Sequence, residues 1–175
     1  MKYYFYCLLL SCFFIFKTGI VSAQCTADAG ADMTLTCTIT EVALAGASNV
    51  PNATFSWTGP NNFTSTVSNP TVNLPGQYDL TITDPGDGCT ATASVLVLQD
   101  IVAPVFSLTA TPTCDIDGSI TADGSPAFQY LWNTHDTTST INNIPSGTYC
   151  VTVTAPNGCT TADCAVVEQF PQALV

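Results

Sequence analysis

Apolar and polar residues alternate with a period of two along much of this chain. Residues 77–83 alternate strictly, with Tyr78, Leu80 and Ile82 on one face, and residues 148–154 repeat the pattern. A period of two predicts half-buried β-strands. No stretch carries the 3.6-residue apolar stripe of an amphipathic helix. The pattern therefore predicts an all-β fold.

Turn-forming Gly, Pro, Asn and Asp residues separate these runs at short intervals, which is typical of an antiparallel sandwich. We predict strands at 32–38, 41–47, 53–58, 62–67, 70–74, 77–83, 89–98, 104–110, 117–122, 126–132, 138–143, 147–154 and 159–168.

The chain also repeats itself at an interval of 70 to 75 residues. The matched positions are Trp57 with Trp132, Tyr78 with Tyr149, and Cys89 with Cys159. A fixed interval indicates two copies of one supersecondary unit. The predicted architecture is two tandem Ig-like antiparallel β-sandwich modules, over residues 24–100 and 101–175, with a joint near Asp100 to Ala103.

The first segment is predicted to be a signal peptide over residues 1–23. Lys2 precedes a short apolar run, and Val21-Ser22-Ala23 is a small-residue cleavage site. The run is about half the ~20 residues needed to span a bilayer. A retained anchor helix and lipidation of Cys25 are the weaker alternatives. We expect a secreted or cell-surface protein.

Charge excludes two classes of partner. Both basic residues, Lys2 and Lys17, lie in the signal peptide, and all 13 acidic residues follow it. The mature chain therefore has no Lys or Arg and a formal charge of −13. Nucleic acids and anionic membranes both need cationic side chains, so neither is an expected partner.

Seven cysteines follow the signal peptide, and export favours disulfides between them. Zinc is disfavoured because the chain has one histidine and no C-x-x-C pair. Seven cysteines allow about a hundred sets of three pairs. The strand positions favour Cys37–Cys89, Cys114–Cys159 and Cys150–Cys164, the last across a hairpin, and leave Cys25 over.

Residues 124–159 resemble the SprB repeat of bacterial gliding and surface adhesins. The similarity lies in Pro126, Phe128, Trp132, Gly147-Thr148-Tyr149, Val151, Val153 and Asn157-Gly158-Cys159. The first copy is similar to the Ig-like or PKD-like repeats of the same exported proteins, through Ala29 to Asp32, Ser56 to Pro60 and Gly88-Cys89. The resemblance implies a surface adhesin of gliding bacteria.

Three groups of aspartates are candidate calcium ligands. Asp115, Asp117 and Asp123 have an oxygen-rich spacing that suits calcium, as do two further Asp pairs, 28 with 32 and 84 with 87. Asp-rich turns are the competing interpretation of all three groups. No cofactor other than calcium is therefore expected.

Catalysis is not expected. His135 lies in a turn-rich segment away from any nucleophile motif such as G-x-S-x-G. Trp57 and Trp132 are expected in the cores, and a sugar-stacking platform is their alternative role.

The sequence therefore predicts a non-catalytic adhesin-like module that binds or displays a surface polysaccharide or a protein ligand. Such a module should expose aromatic residues, for example Phe63 or Phe106. The rival functions are an accessory region of a secreted hydrolase, carbohydrate-binding or spacer in kind, and a plain structural spacer.

Overall fold

A computed structural model describes residues 24–113 and 117–170 of the protein. The predicted signal peptide lies outside the described residues. We refer to residues 24–100 as the N-terminal half and to residues 101–170 as the C-terminal half.

The N-terminal half contains nine strands and one short 3₁₀ turn, Pro60–Asn62. The strands are β1 (Ala27–Asp28), β2 (Met33–Thr36), β3 (Val42–Ala43), β4 (Ala47–Ser48), β5 (Thr54–Gly59), β6 (Phe63–Ser65), β7 (Thr71–Val72), β8 (Gly76–Thr83) and β9 (Thr90–Asp100).

One layer of this half is a five-stranded sheet in the order β2-β9-β8-β5-β6. The other layer is built from the pairs β1-β4 and β3-β7. Hydrogen bonds from Leu44 N to Pro70 O (2.9 Å) and from Gly46 N to Ser68 O (3.2 Å) extend the pairing of this second layer. The strand β2 runs parallel to the end of β9, whereas the other pairs are antiparallel.

The C-terminal half contains six strands in two three-stranded sheets, β10-β11-β13 and β12-β14-β15. The strands are β10 (Ser107–Thr111), β11 (Gly118–Asp123), β12 (Gln129–Trp132), β13 (Thr140–Ile144), β14 (Gly147–Thr154) and β15 (Thr160–Val167). Thr113 forms a parallel bridge with Gln169. In each half, the chain leaves the first strand and then pairs in parallel with the other sheet. This pairing is made by β2 in the N-terminal half and by Thr113 in the C-terminal half.

Each half has its own buried cluster. The alternating side chains of β8 and β9 pack around Trp57 in the N-terminal half, and those of β14 pack around Trp132 in the C-terminal half. Both indoles are almost fully buried, at 0% and 1% exposed. This placement follows from the period of two, because alternate residues of a strand face the same layer.

The same two hydrogen bonds fix the aromatic residues in both halves. Trp57 Nε1 donates to Ser68 O at 3.2 Å, and Trp132 Nε1 donates to Thr138 O at 2.8 Å. Tyr78 Oη donates to Leu74 O at 2.9 Å, and Tyr149 Oη donates to Pro145 O at 3.0 Å. A tyrosine that bonds to the backbone four residues upstream is the tyrosine corner of Ig-like sandwiches.

The all-β, Ig-like fold predicted from the sequence is confirmed, and both tryptophans lie in the cores as expected. The division into domains at residue 100 stays a prediction, although β9 ends at Asp100 and β10 begins at Ser107. Within the described ranges, no helix has the length and apolar character needed to cross a membrane.

Candidate functional site

A disulfide between Cys37 and Cys159 joins the two halves. Cys37 follows β2, whose parallel partner is the last part of β9, so this loop lies beside the end of the N-terminal half. Cys159 ends the turn between β14 and β15. The two cysteines are 122 residues apart in sequence and 5.1 Å apart between Cα atoms. The joint is therefore a covalent cross-link as well as a chain connection.

Asn157 adds a hydrogen-bonded contact at the same joint. Its Nδ2 donates to Asp100 Oδ1 at 2.8 Å and to Val102 O at 2.9 Å, and its Oδ1 accepts from Cys159 N at 3.0 Å. One side chain thus ties the turn of the C-terminal half to the connecting segment.

Gly158 lets the two halves approach closely. Its φ is +79°, a conformation that favours glycine. A Cβ at this position would lie 2.5 Å from Thr38 Cγ2. Because Gly158 has no side chain, the turn between β14 and β15 can pack closely against the loop after β2.

The other two disulfides each lie within one half. Cys25 pairs with Cys89, and Cys150 pairs with Cys164 across β14 and β15. The second pair is the hairpin disulfide that the strand positions favour. The expected pair Cys37–Cys89 does not form, and Cys25, expected to be left over, takes Cys89.

The length of β9 explains this correction. Cys37 lies near the end of that strand and Cys89 lies just before its start. Eleven residues at about 3.3 Å each separate the two positions by roughly 35 Å. No disulfide spans such a distance, since its Cα atoms lie about 4.4–6.8 Å apart.

The expected pair Cys114–Cys159 is also corrected, because Cys159 bonds to Cys37. Cys114 itself lies outside the described residues. Its neighbour Thr113 bridges Gln169, just past the end of β15, whereas Cys159 lies just before the start of that strand. Thr113 and Cys159 therefore lie at opposite ends of β15.

Two of the predicted calcium ligands, Asp117 and Asp123, lie apart in the structure. Asp117 immediately precedes β11 and Asp123 ends it, so about 20 Å of strand separates them. Asp117 Oδ1 accepts from the Thr113 hydroxyl, and Asp123 Oδ2 accepts from the Thr109 hydroxyl at 3.5 Å. Asp115 lies outside the described residues. Among the residues described, no group of three or more potential ligands converges on a metal position.

The other aspartate pairs cap backbone groups. Asp28 accepts from Gly30 N at 2.9 Å, Asp84 from Gly86 N at 2.7 Å and Asp87 from Cys89 N at 2.9 Å. Asp32 accepts from Leu96 N at 2.9 Å. These contacts favour the turn interpretation of the pairs, and calcium binding by this chain stays a prediction.

His135 lies in an exposed turn with a φ of +70°. Its backbone N donates to Trp132 O at 2.9 Å. The neighbouring Asp136 accepts from both the hydroxyl and the backbone N of Thr138, and these bonds lower the pKa of the Asp136 carboxyl. These contacts make the segment an ordered turn.

Phe63 and Phe106, the aromatic residues expected to be exposed, are both half-buried, whereas Phe170 is exposed. Phe63 packs edge-on against Tyr78, with ring centroids 5.4 Å apart, and Phe106 packs against the core of the C-terminal half. Burial raises the pKa of the Tyr78 phenol, and the bond to Leu74 O partly offsets this. The tryptophans support the sandwiches, and their alternative role in sugar stacking has no exposed ring to use.

Sequence reasoning missed the cross-link at the joint. The available signal was that both copies end a turn in Gly-Cys, while only the second copy has Asn at the position before that Gly. Asn157 takes the place of Asp87, and an amide can donate to a carboxylate where another carboxylate cannot.

Comparisons with known proteins give weak likenesses of overall shape. Three N-terminal domains of the bacteriophage RB49 highly immunogenic outer capsid protein align with a TM-score of 0.48 and 13% identity, over 83% of this chain and 59% of that one. The PKD domain of human KIAA0319 aligns with a TM-score of 0.35 and 15% identity, over 50% of this chain and 94% of that one.

Drosophila N-cadherin EC1-4 aligns with a TM-score of 0.35 and 10% identity, over 85% of this chain and 50% of that one. No protein-family model and no curated protein sequence matches the chain. The similarity to SprB repeats therefore depends on the motif residues alone.

Proposed function

We propose that this chain is an exported, non-catalytic adhesin-type module, displayed at the cell surface, where it binds a surface polysaccharide or a protein ligand. The assignment to SprB-repeat-type surface proteins draws on the motif of residues 124–159. Calcium binding is the untested addition to this proposal.

The observation that carries the proposal is the set of three disulfides, one of which crosses the joint. Structural disulfides persist in oxidising compartments and are rare in the cytosol. The cross-joint disulfide also holds two Ig-like halves in one arrangement. A stiff, oxidised β-rich unit is suited to present a binding surface away from a cell.

A structural spacer is the second candidate, and one observation favours it. Ser56, Thr81 and Thr92 lie side by side on the outer face of the five-stranded sheet. Such hydroxyl-rich faces are well hydrated and offer no apolar anchor for a partner.

Location is tested by adding proteinase K to intact producing cells and mapping the disulfides of the purified full chain. Trypsin is unsuitable because the mature chain has no Lys or Arg. We expect the chain to be degraded from outside, or recovered from the medium, with its cysteines oxidised. A reduced chain that is protected inside the cells would contradict the proposal.

Binding is tested with beads coated with the full chain and applied to the extracellular polysaccharide and the surface proteins of the producing cells. Attachment above that of albumin-coated beads supports the adhesin. Surface exposure without attachment supports the spacer. A measurable turnover that His135→Ala abolishes would contradict the non-catalytic assignment.

A further inference from the structure

Exposed apolar side chains are concentrated at the joint. Within ten residues the chain leaves five large apolar side chains in water, with Val102 at 72% and Val105 at 84% exposed. We call this set the joint ridge; it consists of Leu96, Leu98, Ile101, Val102 and Val105. Contiguous exposed apolar surface on a soluble protein marks an interaction site more often than isolated residues do.

The ridge departs from the pattern of the strand in which it begins. Along β9 the inward residues Val95 and Val97 are 1% exposed, and the outward positions before them carry Thr92 and Ser94. Leu96 and Leu98 then occupy outward positions. A strand that is apolar on both faces is typical of one covered on both faces.

A groove adjoins the ridge on the C-terminal half. It has a volume of about 300 Å³ and is lined by Pro104, Val105, Phe106, Thr161, Ala162 and Asp163. Asp163 is exposed, and its Oδ1 accepts from Cys164 N at 2.8 Å. Apolar walls beside a carboxylate fit the aliphatic stem and the cationic head of Lys or Arg.

The joint contacts hold this surface in place. Asn157 bonds to Asp100 and to Val102 O within the connecting segment, and the Cys37–Cys159 disulfide fixes the halves beside it. A surface fixed before binding loses less conformational entropy when it binds.

We propose that the joint ridge and its groove form the docking surface for a protein partner with an apolar centre and Lys or Arg at its rim. This inference rests on the proposed function and names the binding surface of the same module. Charge selects the partner. Asp32, Asp100 and Asp163 flank the ridge, and a second copy would bring only like charges, since the mature chain carries −13 and no Lys or Arg.

The test uses three blocked twelve-residue peptides added to the full oxidised chain at 0.15 M salt. One alternates Leu with Lys, one Ser with Lys and one Leu with Glu. Binding is measured by titration calorimetry and by NMR shift changes at residues 96–106. We expect the Leu/Lys peptide to bind at the ridge and to bind at least about tenfold more tightly than the other two, because only it supplies both apolar burial and opposite charge.

Two variants locate the surface. Val102→Ser with Val105→Ser should weaken the Leu/Lys peptide about tenfold, and Asp163→Asn should weaken it about threefold. The matched control is Val67→Ser with Leu131→Ser, which changes similarly exposed residues elsewhere and should leave binding unchanged. Melting temperatures close to that of the unsubstituted chain verify that the variants are folded.

Several outcomes would overturn the docking surface. Equal affinity for the Ser/Lys peptide would mean general attraction to an acidic chain, and equal loss in the control would place the site elsewhere. A dimer in sedimentation that Val102→Ser with Val105→Ser dissociates would make a second copy the occupant. Each of these results leaves the surface-exposure test of the proposed function unaffected.

Discussion

The two halves contain the same structural devices but are cross-linked differently. Each has a buried tryptophan, a tyrosine corner and a turn that ends in Gly-Cys. In the N-terminal half Cys89 binds Cys25 of the same half, whereas in the C-terminal half Cys159 binds Cys37 of the other. The turn supports its own sandwich in one case and the joint in the other.

A second difference lies on the sheets. The pair Cys150 and Cys164 of the C-terminal half occupies the positions that Asp79 and Ser94 hold in the N-terminal half. Each half thus has one internal disulfide, Cys25–Cys89 or Cys150–Cys164, but the two lie at different positions of the repeated unit.

The largest effects should come from the matched tryptophans. Trp57→Ala and Trp132→Ala should each cost about 3–5 kcal/mol of unfolding free energy, because both remove a buried ring and its hydrogen bond. The chain has two tryptophans, so fluorescence of the remaining one reports the other half during urea unfolding. If the remaining tryptophan of either variant reports a lower urea midpoint for the unsubstituted half, the two halves unfold together.

The next largest effects should come from removing the internal disulfide of one half, which should lower the stability of that half alone. Cys150→Ser with Cys164→Ser opens a short loop and should cost up to about 3 kcal/mol, confined to the C-terminal half. Cys25→Ser with Cys89→Ser opens a longer loop and should cost up to about 4 kcal/mol in the N-terminal half. Hydrogen exchange resolves the two halves. Loss of protection in the wrong half would contradict the observed pairing.

The two turn glycines should respond unequally. Gly88 and Gly158 both have positive φ, so an alanine at either position should cost about 1–2 kcal/mol. A Cβ at Gly88 meets open space, whereas at Gly158 it meets Thr38. Gly158→Ala should therefore also perturb the joint, seen as a changed maximum dimension in small-angle scattering. Identical behaviour would show that the contact with Thr38 does not matter.

The tyrosine corners should be nearly equivalent. Tyr78→Phe and Tyr149→Phe each remove one hydrogen bond to a backbone carbonyl and should cost about 1 kcal/mol. Thermal melts of the two variants check this. A loss of stability in only one of the two variants would mean that the two corners contribute unequally to the stability of the fold.

The smallest effect should be an acid-dependent one at Asp136 of the C-terminal half. The bonds from Thr138 lower the pKa of Asp136 in the folded chain. A lowered folded-state pKa adds stability above the unfolded value, near ~4, and this is lost as the pH falls further. The stability difference between the unsubstituted chain and Asp136→Asn should therefore shrink below about pH 4. Thermal melts of both proteins between pH 2 and 6 measure this stability difference. A difference that grows as the pH falls would contradict the lowered pKa of Asp136.

Much of the fold could be predicted because it follows from local patterns. The alternation over 77–83 and 147–154 gives β8 and β14 within one residue, and the repeat identifies the paired tryptophans and tyrosines. The hairpin that joins Cys150 to Cys164 is local as well.

The disulfide that crosses the joint could not be predicted in this way. Whether Cys37 meets Cys89 or Cys159 depends on which end of the sandwich its loop occupies, and that is set by the parallel pairing of β2 with the end of β9. Long-range contacts therefore determine the partner of Cys37. The separation of Asp117 from Asp123 is local by contrast, because it follows from the strand predicted at 117–122, which β11 matches closely.

The cross-joint disulfide also changes how the molecule responds to tension. If the described chain is pulled at Gln24 and Phe170, the force passes through Cys37 and Cys159, and the residues between them are shielded. Only about 24 residues can then extend, by roughly 80 Å, whereas without this disulfide the other two would still leave about 68 residues to extend, by roughly 230 Å. A module anchored at one end and gripped at the other would therefore transmit force with little loss of length, even after its strands had separated.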